Sequence, residues 1–111
     1  MKGVMLAFLL MGGAFAGGLG FQEMMNLAMT RMHQGMHAAP PSGQPDRDFL
    51  TMMIPHHQGA VDAAKAELLY GQNPQVRRLA QEILTEQALE IEYMQQLLKG
   101  GSTTQRGEHQ P

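Results

Sequence analysis

The chain has 111 residues, with 8 Lys and Arg against 10 Asp and Glu, 11 Met, 5 His, no Cys and no Trp. That length allows one small domain, the mixed charges (formal net charge -2) offer no basic face for nucleic acid and no polybasic run for anionic lipid, and the missing cysteines exclude disulfides and thiolate metal sites. What stands out is a stock of thioether and imidazole donors in a chain poor in aromatic bulk, although methionine also fills irregular cores.

Residues 1–16 read as an export signal: Lys2, an apolar run from Val4 to Met11, then Ala14-Phe15-Ala16 as a small-x-small cleavage site. The alternative is an uncleaved membrane anchor, since no charge falls between Lys2 and Glu23, nearly the ~20 residues of a spanning helix; the glycines of that span weigh against it. Either way the remainder is expected outside the cytoplasm, periplasmic or extracellular. A Met/His-rich helix is predicted over 22–38, followed by a Pro-rich linker over 39–45. Residues 46–100 read as a helical hairpin. Its first helix starts at Asp46, whose carboxylate can cap it, and runs to Tyr70, with Gly71 as a left-handed stop. Its second helix opens with Asn73 as cap and Pro74 at the first helical position, and ends at Gly100-Gly101. Residues 101–111 lack apolar periodicity and read as a disordered tail, in which His109 is incidental. No segment reads as a strand. The expected fold class is all-α, an antiparallel bundle of three helices after the signal helix, which a second copy would extend to four.

The last predicted helix carries an apolar stripe at helical spacing: Val76, Leu79, Ala80, Ile83, Leu84, Ile91, Met94, Leu97 and Leu98. At ~100° per residue, Gln87 falls near the centre of this stripe and Glu90 at its edge, so two polar groups in or beside the core need partners. The preceding helix presents Phe49, Met52, Met53, His56, Ala60, Ala63, Ala64 and Glu67 on one face, with His57 and Leu68 on its flank. Antiparallel packing across the turn brings these histidines to the level of Gln87 and Met94.

Two constellations carry metal-ligand chemistry. In Met52-Met53-Ile54-Pro55-His56-His57 each thioether lies four residues, one helical turn, before an imidazole. Pro55 frees the Thr51 carbonyl, which predicts a kink or a helix restart that re-aims the histidines. The bland alternative makes His56 a core histidine hydrogen-bonded to Gln87 or Glu90. Further forward, Met25, Met29, Met32 and Met36 recur at intervals of four, three and four, a narrow stripe with His33 and His37 along its flank. Gly35 weakens this helix and leaves its end mobile enough to wrap an ion. Thioethers suit Cu(I) and imidazoles suit Cu(II), so copper is the expected metal. A methionine stripe serves equally as a core face or as a pliable surface for a partner helix.

No glutamate precedes a histidine by three residues, as a ferritin-type di-metal site requires, and there is no HExxH, no Cys-based haem attachment and no supported nucleophile. Enzymatic activity is therefore not expected. With Asp48, Phe49, Met53-Ile54-Pro55-His56-His57, Ala60 and Val61, followed by Gln87, Glu90-Ile91 and Met94, the chain resembles the bacterial domain of unknown function 305 family, which includes CopM-like periplasmic copper-binding proteins. The similarity covers about Asp46 to Leu98, and Met-Ile-Pro-His-His is its most specific element. The resemblance implies a ferritin-like bundle and, for some members, copper binding and copper tolerance outside the cytoplasm. This sequence departs from the pattern at Ala63, where members often carry methionine, and at Leu97, where tryptophan is common.

The sequence thus predicts an exported protein that sequesters or carries copper, as Cu(I), Cu(II) or both. His56, His57, Met52 and Met53 form one candidate site, and Met25, Met29, Met32, His33, Met36 and His37 another. Gln87, Glu90 and Met94 would support the first site or add ligands to it. The alternative is a metal-free interaction module, in which the Met-rich helix docks a partner and the histidines belong to a buried polar network. Expected partners are a metal ion and a second copy of the chain, with no nucleic acid, and the membrane only if the leading segment stays attached.

Overall fold

The structure, a computed structural model, describes residues 18–100. Three helices account for nearly all of them: α1 (Phe21–Ala38), α2 (Pro45–Tyr70) and α3 (Pro74–Gly100). The described residues contain no strand, and none of their helices is long and apolar enough to cross a membrane. The expected signal segment 1–16 and tail 101–111 lie outside them.

Local chemistry sets the helix ends. Glu23 Oε1 accepts from the Gly20 N–H at 3.0 Å, satisfying a backbone donor at the start of α1. Pro45 opens α2 instead of closing the linker, because its fixed φ suits the first helical position. The cap expected from Asp46 does not form, since Gln44 holds the N-cap position with no side-chain bond; the acid that bonds to the linker is Asp48. Its carboxylate accepts from the Ser42 N–H at 2.9 Å and the Ser42 hydroxyl at 2.7 Å, folding the linker back onto the helix. Those bonds, the hydroxyl first, hold the Asp48 pKa below the usual carboxylate range.

α2 runs unbroken through Pro55, so the expected helix restart does not occur. Nor is Gly71 a left-handed stop: its φ of -73° and ψ of 157° are extended. A Cβ at position 71 would meet only the Glu67 carboxylate, the far end of a flexible side chain that can turn aside. Arg77 Nη1 donates to the Leu68 carbonyl at 2.6 Å and the Gly71 carbonyl at 3.3 Å, satisfying acceptors that the end of α2 leaves free. Asn73 caps α3 as expected, its Oδ1 accepting from the N–H groups of Gln75 and Val76 at 2.9 and 3.1 Å.

α2 is the middle helix. It packs antiparallel against both α1 and α3, which scarcely meet each other. At one end of the α1–α2 seam, Phe21 and Tyr70 meet edge to face with ring centroids 6.4 Å apart, and the Tyr70 hydroxyl donates to the Leu19 carbonyl. Small residues bring the two helices close along the rest: Ala28 and Ala66 are 2% and 0% exposed. Met32 lies over Gly59, its Cβ and Sδ each 2.9 Å from where a Cβ on that glycine would stand. The Pro55 ring sits against Gly35, with Pro55 Cβ 2.6 Å from the corresponding point there. Gly35 is therefore a fixed point of close approach, not the mobile helix end expected. The residues buried in the described core are Ala28, Val61, Ala64, Ala66, Ala80 and Met94, so alanine dominates it and the core is thin.

Candidate metal site

Being covered on two opposite sides decides which side chains of α2 are accessible. Pro55, Gly59 and Ala66 serve the α1 seam, and Leu50, His57, Val61, Ala64 and Leu68 serve the α3 seam, two stripes about half a turn apart. The single face expected from the sequence, with Phe49, Met52, His56, Ala63 and Glu67, falls midway between them. It is partly open: Phe49 is 61% and Met52 45% exposed and His56 is exposed as well, whereas Ala63 and Glu67 are half-buried and Ala64, expected on the same face, is buried. One stripe fitted to a helix that is buried twice lands on the average of the two directions.

The two adjacent histidines accordingly diverge, with ring planes inclined at 58° and centroids 6.2 Å apart. His57, not His56, enters the α2–α3 seam. Its Nε2 lies 2.6 Å from Glu90 Oε1, the imidazole side chain 16% exposed and the carboxylate side chain 60%. With a carboxylate as acceptor, Nε2 carries a ring proton, and in the neutral tautomer Nδ1 then offers its lone pair. Nδ1 of His57 and Oε1 of Gln87 are both buried with no hydrogen-bond partner. Leaving such an acceptor unpaired costs ~1–3 kcal/mol. Met94, 7% exposed, and half-buried Met53 belong to the same seam.

On α1 the predicted methionine stripe divides. Met32 is occupied in the seam over Gly59, Met25 and Met36 are half-buried, and Met29 is 45% exposed. His33 and His37 are exposed, and neither they nor His56 make a hydrogen bond among the described residues. With the seams fixed, helical spacing sorts the other side chains onto two sides of the helix layer. Arg31, Gly35, Ile54, Gln58, Ile91 and Gln95 line a shallow groove on one side. On the opposite side stand Met29 and His33 of α1, Met52 and His56 of α2, and Glu86 and Glu90 of α3. Because Gly35 abuts Pro55 and Met32 abuts Gly59, His33 and His56 lie at nearly the same level. Donors that the sequence divides into two sites thus share one open face. By the same spacing, the Lys and Arg residues of the described helices lie off this face while Glu67, Glu86 and Glu90 lie on it, which favours cations there.

Residues 16–98 match the family described as domain of unknown function (DUF305). The chain belongs to that family. Comparison with curated proteins gives no match. The DUF305 match is wider than the resemblance read from the motifs and takes in all of α1 with its methionines. Within the Met-Ile-Pro-His-His segment each residue now has a place: Met53 on the α3 side, Ile54 in the groove, Pro55 against Gly35, His56 open to solvent and His57 bonded to Glu90.

The donor chemistry fits a soft ion better than a hard one. No group of three or more His, Asp or Glu that could hold a metal gathers among the described residues, so an ion held here would need thioethers beside imidazoles, the ligands that suit copper. Sequence reasoning missed Gly35 and Gly59 as contact points, although a glycine inside a helical pattern commonly marks a close approach. It also missed Ser42 and Arg77, whose bonds to Asp48 and to the α2 carbonyls cross loops that no periodicity describes.

Proposed function

We propose that this DUF305 protein is an exported copper-binding protein that sequesters or carries the ion through methionine and histidine side chains. The close approaches of Gly35 to Pro55 and Met32 to Gly59 carry the reading: with them fixed, helical spacing sets Met29 and His33 of α1 on the same acid-flanked side as Met52 and His56 of α2, four exposed side chains with no hydrogen bond among the described residues. Thioethers would hold Cu(I) and imidazoles either oxidation state. Met36, His37 and Met25 border that group. His57 extends the donor set into the α2–α3 seam, where Glu90 orients its ring as carboxylates do for metal-binding histidines. Gln87 and the buried Met94 belong to the same seam. Copper here is cargo, and export is supported by Lys2, the apolar run and Ala14-Phe15-Ala16.

The test is titration of the purified chain with Cu(I) and Cu(II) against competing chelators, beside a His56→Ala/His57→Ala variant. The wild type should bind copper at least about tenfold more tightly, a difference of ~1.4 kcal/mol. Equal binding by both proteins refutes the proposal. A second reading, a metal-free interaction module, is favoured by the apolar content of the same face; there chelators would change nothing and a partner helix would still dock.

A further inference from the structure

The side of the layer that carries the donors also exposes large apolar side chains. Met29 is 45% exposed, Phe49 61%, Met52 45%, Leu79 55%, Tyr93 59% and Leu97 40%, and helical spacing puts all six on this side. They come from all three helices and run the length of the layer. On the scale of ~150–250 Å² for a whole aromatic side chain, their open portions sum to roughly 600 Å² per copy. Two copies would bury roughly 1,200 Å², the lower limit of a stable specific interface. A core built mainly of alanines has little else to stabilise it.

The apolar area favours a second copy, and the charges of the two edges orient it; Glu67 of α2 is the one acid on this face that would stand near its own symmetry mate. The α3 edge of this face is acidic, with Glu86 and Glu90, whereas the α1 edge carries His33 and no acid. His33 and Glu90 stand at the same level, since both are opposite His57 on α2. A twofold axis parallel to the helices keeps levels and exchanges edges, so it would set the α1 edge of each copy against the α3 edge of the other. We propose that a second copy of this chain covers the open face in that arrangement. α2 then meets α2 across the axis, His56 of each copy approaches its symmetry mate, and the donor face becomes an enclosed site to which both chains contribute imidazole and thioether groups. The proposal goes beyond copper binding and stands without it, because the apolar area and the edge charges need no metal.

The test uses the full chain in excess EDTA, so that loss of copper binding cannot affect the result. Sedimentation equilibrium at micromolar concentration should give twice the 12.2 kDa of one chain. Leu79→Glu/Tyr93→Glu, two exposed positions, should return the mass to one chain with helical circular dichroism retained. The absence of cysteine permits a check that does not depend on folding of that variant. Ala63→Cys, half-buried on the midline of α2, should form a disulfide-linked pair on oxidation, and Ala88→Cys, on the opposite side of the layer, should not. A single-chain mass for the wild type overturns the proposal, as it would if residues 1–17 covered the face instead. So does crosslinking at position 88 in place of 63.

Discussion

Gly35→Ala tests whether α1 and α2 are as close as their donor side chains require. In a free helix this change is favourable by up to ~1 kcal/mol, because alanine loses less backbone entropy than glycine. Here the new methyl would stand 2.6 Å from Pro55 Cβ and 3.5 Å from its Cγ. A proline ring inside an unbroken helix cannot swing away, so the helices must separate by the better part of an ångström. Overpacking of that kind costs ~1–3 kcal/mol, leaving a net loss of roughly 0–2 kcal/mol after the propensity gain. The sign becomes decisive in a double-mutant cycle with Pro55→Gly, which removes the opposing carbon. In that background Gly35→Ala should stabilise, giving a coupling of ~1–3 kcal/mol between the two sites. Urea unfolding followed by helical circular dichroism measures all four proteins. If Gly35→Ala stabilises the wild type as much as it does the Pro55→Gly protein, the close approach is refuted, and with it the shared level of His33 and His56.

Two further predictions concern the loops that hold the layer together. The lowered Asp48 pKa means its carboxylate stabilises the fold above the ordinary carboxylate range, and this contribution disappears as pH falls through the lowered value. The urea midpoints of wild type and Asp48→Asn should therefore differ near neutrality and converge in acid. Arg77→Leu leaves the Leu68 and Gly71 carbonyls without their charged donor and should cost ~1–3 kcal/mol. The exposed neighbour Arg78→Leu should stay within ~0.5 kcal/mol in the same thermal unfolding assay.

The helices themselves were legible because their signals are local. Asn73-Pro74 opens α3 as the pair predicts, and the Pro-rich stretch separates α1 from α2. The facing of α2 was not legible, because periodicity assumes one buried direction and α2 has two. That assumption turned His56 inward on paper, where the structure turns His57 to Glu90. The α3 stripe, buried on one side only, places Gln87 half-buried and Met94 in the core where expected, but its margins Val76, Leu79 and Leu97 are exposed, 46%, 55% and 40%. Gly35 and Asp46 failed for a different reason. Each has a sound local reading, as a flexible joint and as a cap, which the Pro55 contact overrides for the first and the earlier helix start at Pro45 for the second.

The methionines divide into two groups, and the division separates packing from ligation. Met32 and Met94 lie in seams, the first over Gly59 and the second 7% exposed, whereas Met29 and Met52 are each 45% exposed. Leucine matches methionine in volume but has no lone pair to offer a metal, so buried Met-to-Leu changes cost less than ~1.5 kcal/mol and exposed ones almost nothing. If the thioethers on the open face hold Cu(I), Met29→Leu/Met52→Leu should leave unfolding unchanged while weakening Cu(I) binding at least about tenfold. Met32→Leu/Met94→Leu should do the reverse, shifting the unfolding midpoint by several degrees at constant affinity, since ~1 kcal/mol moves a domain of this size by ~4–8 °C. Calorimetry and chelator competition on the same preparations read both quantities. Copper affinity that follows the seam pair instead would place the ion between the helices, with His57 Nδ1 and not His56 as its imidazole ligand.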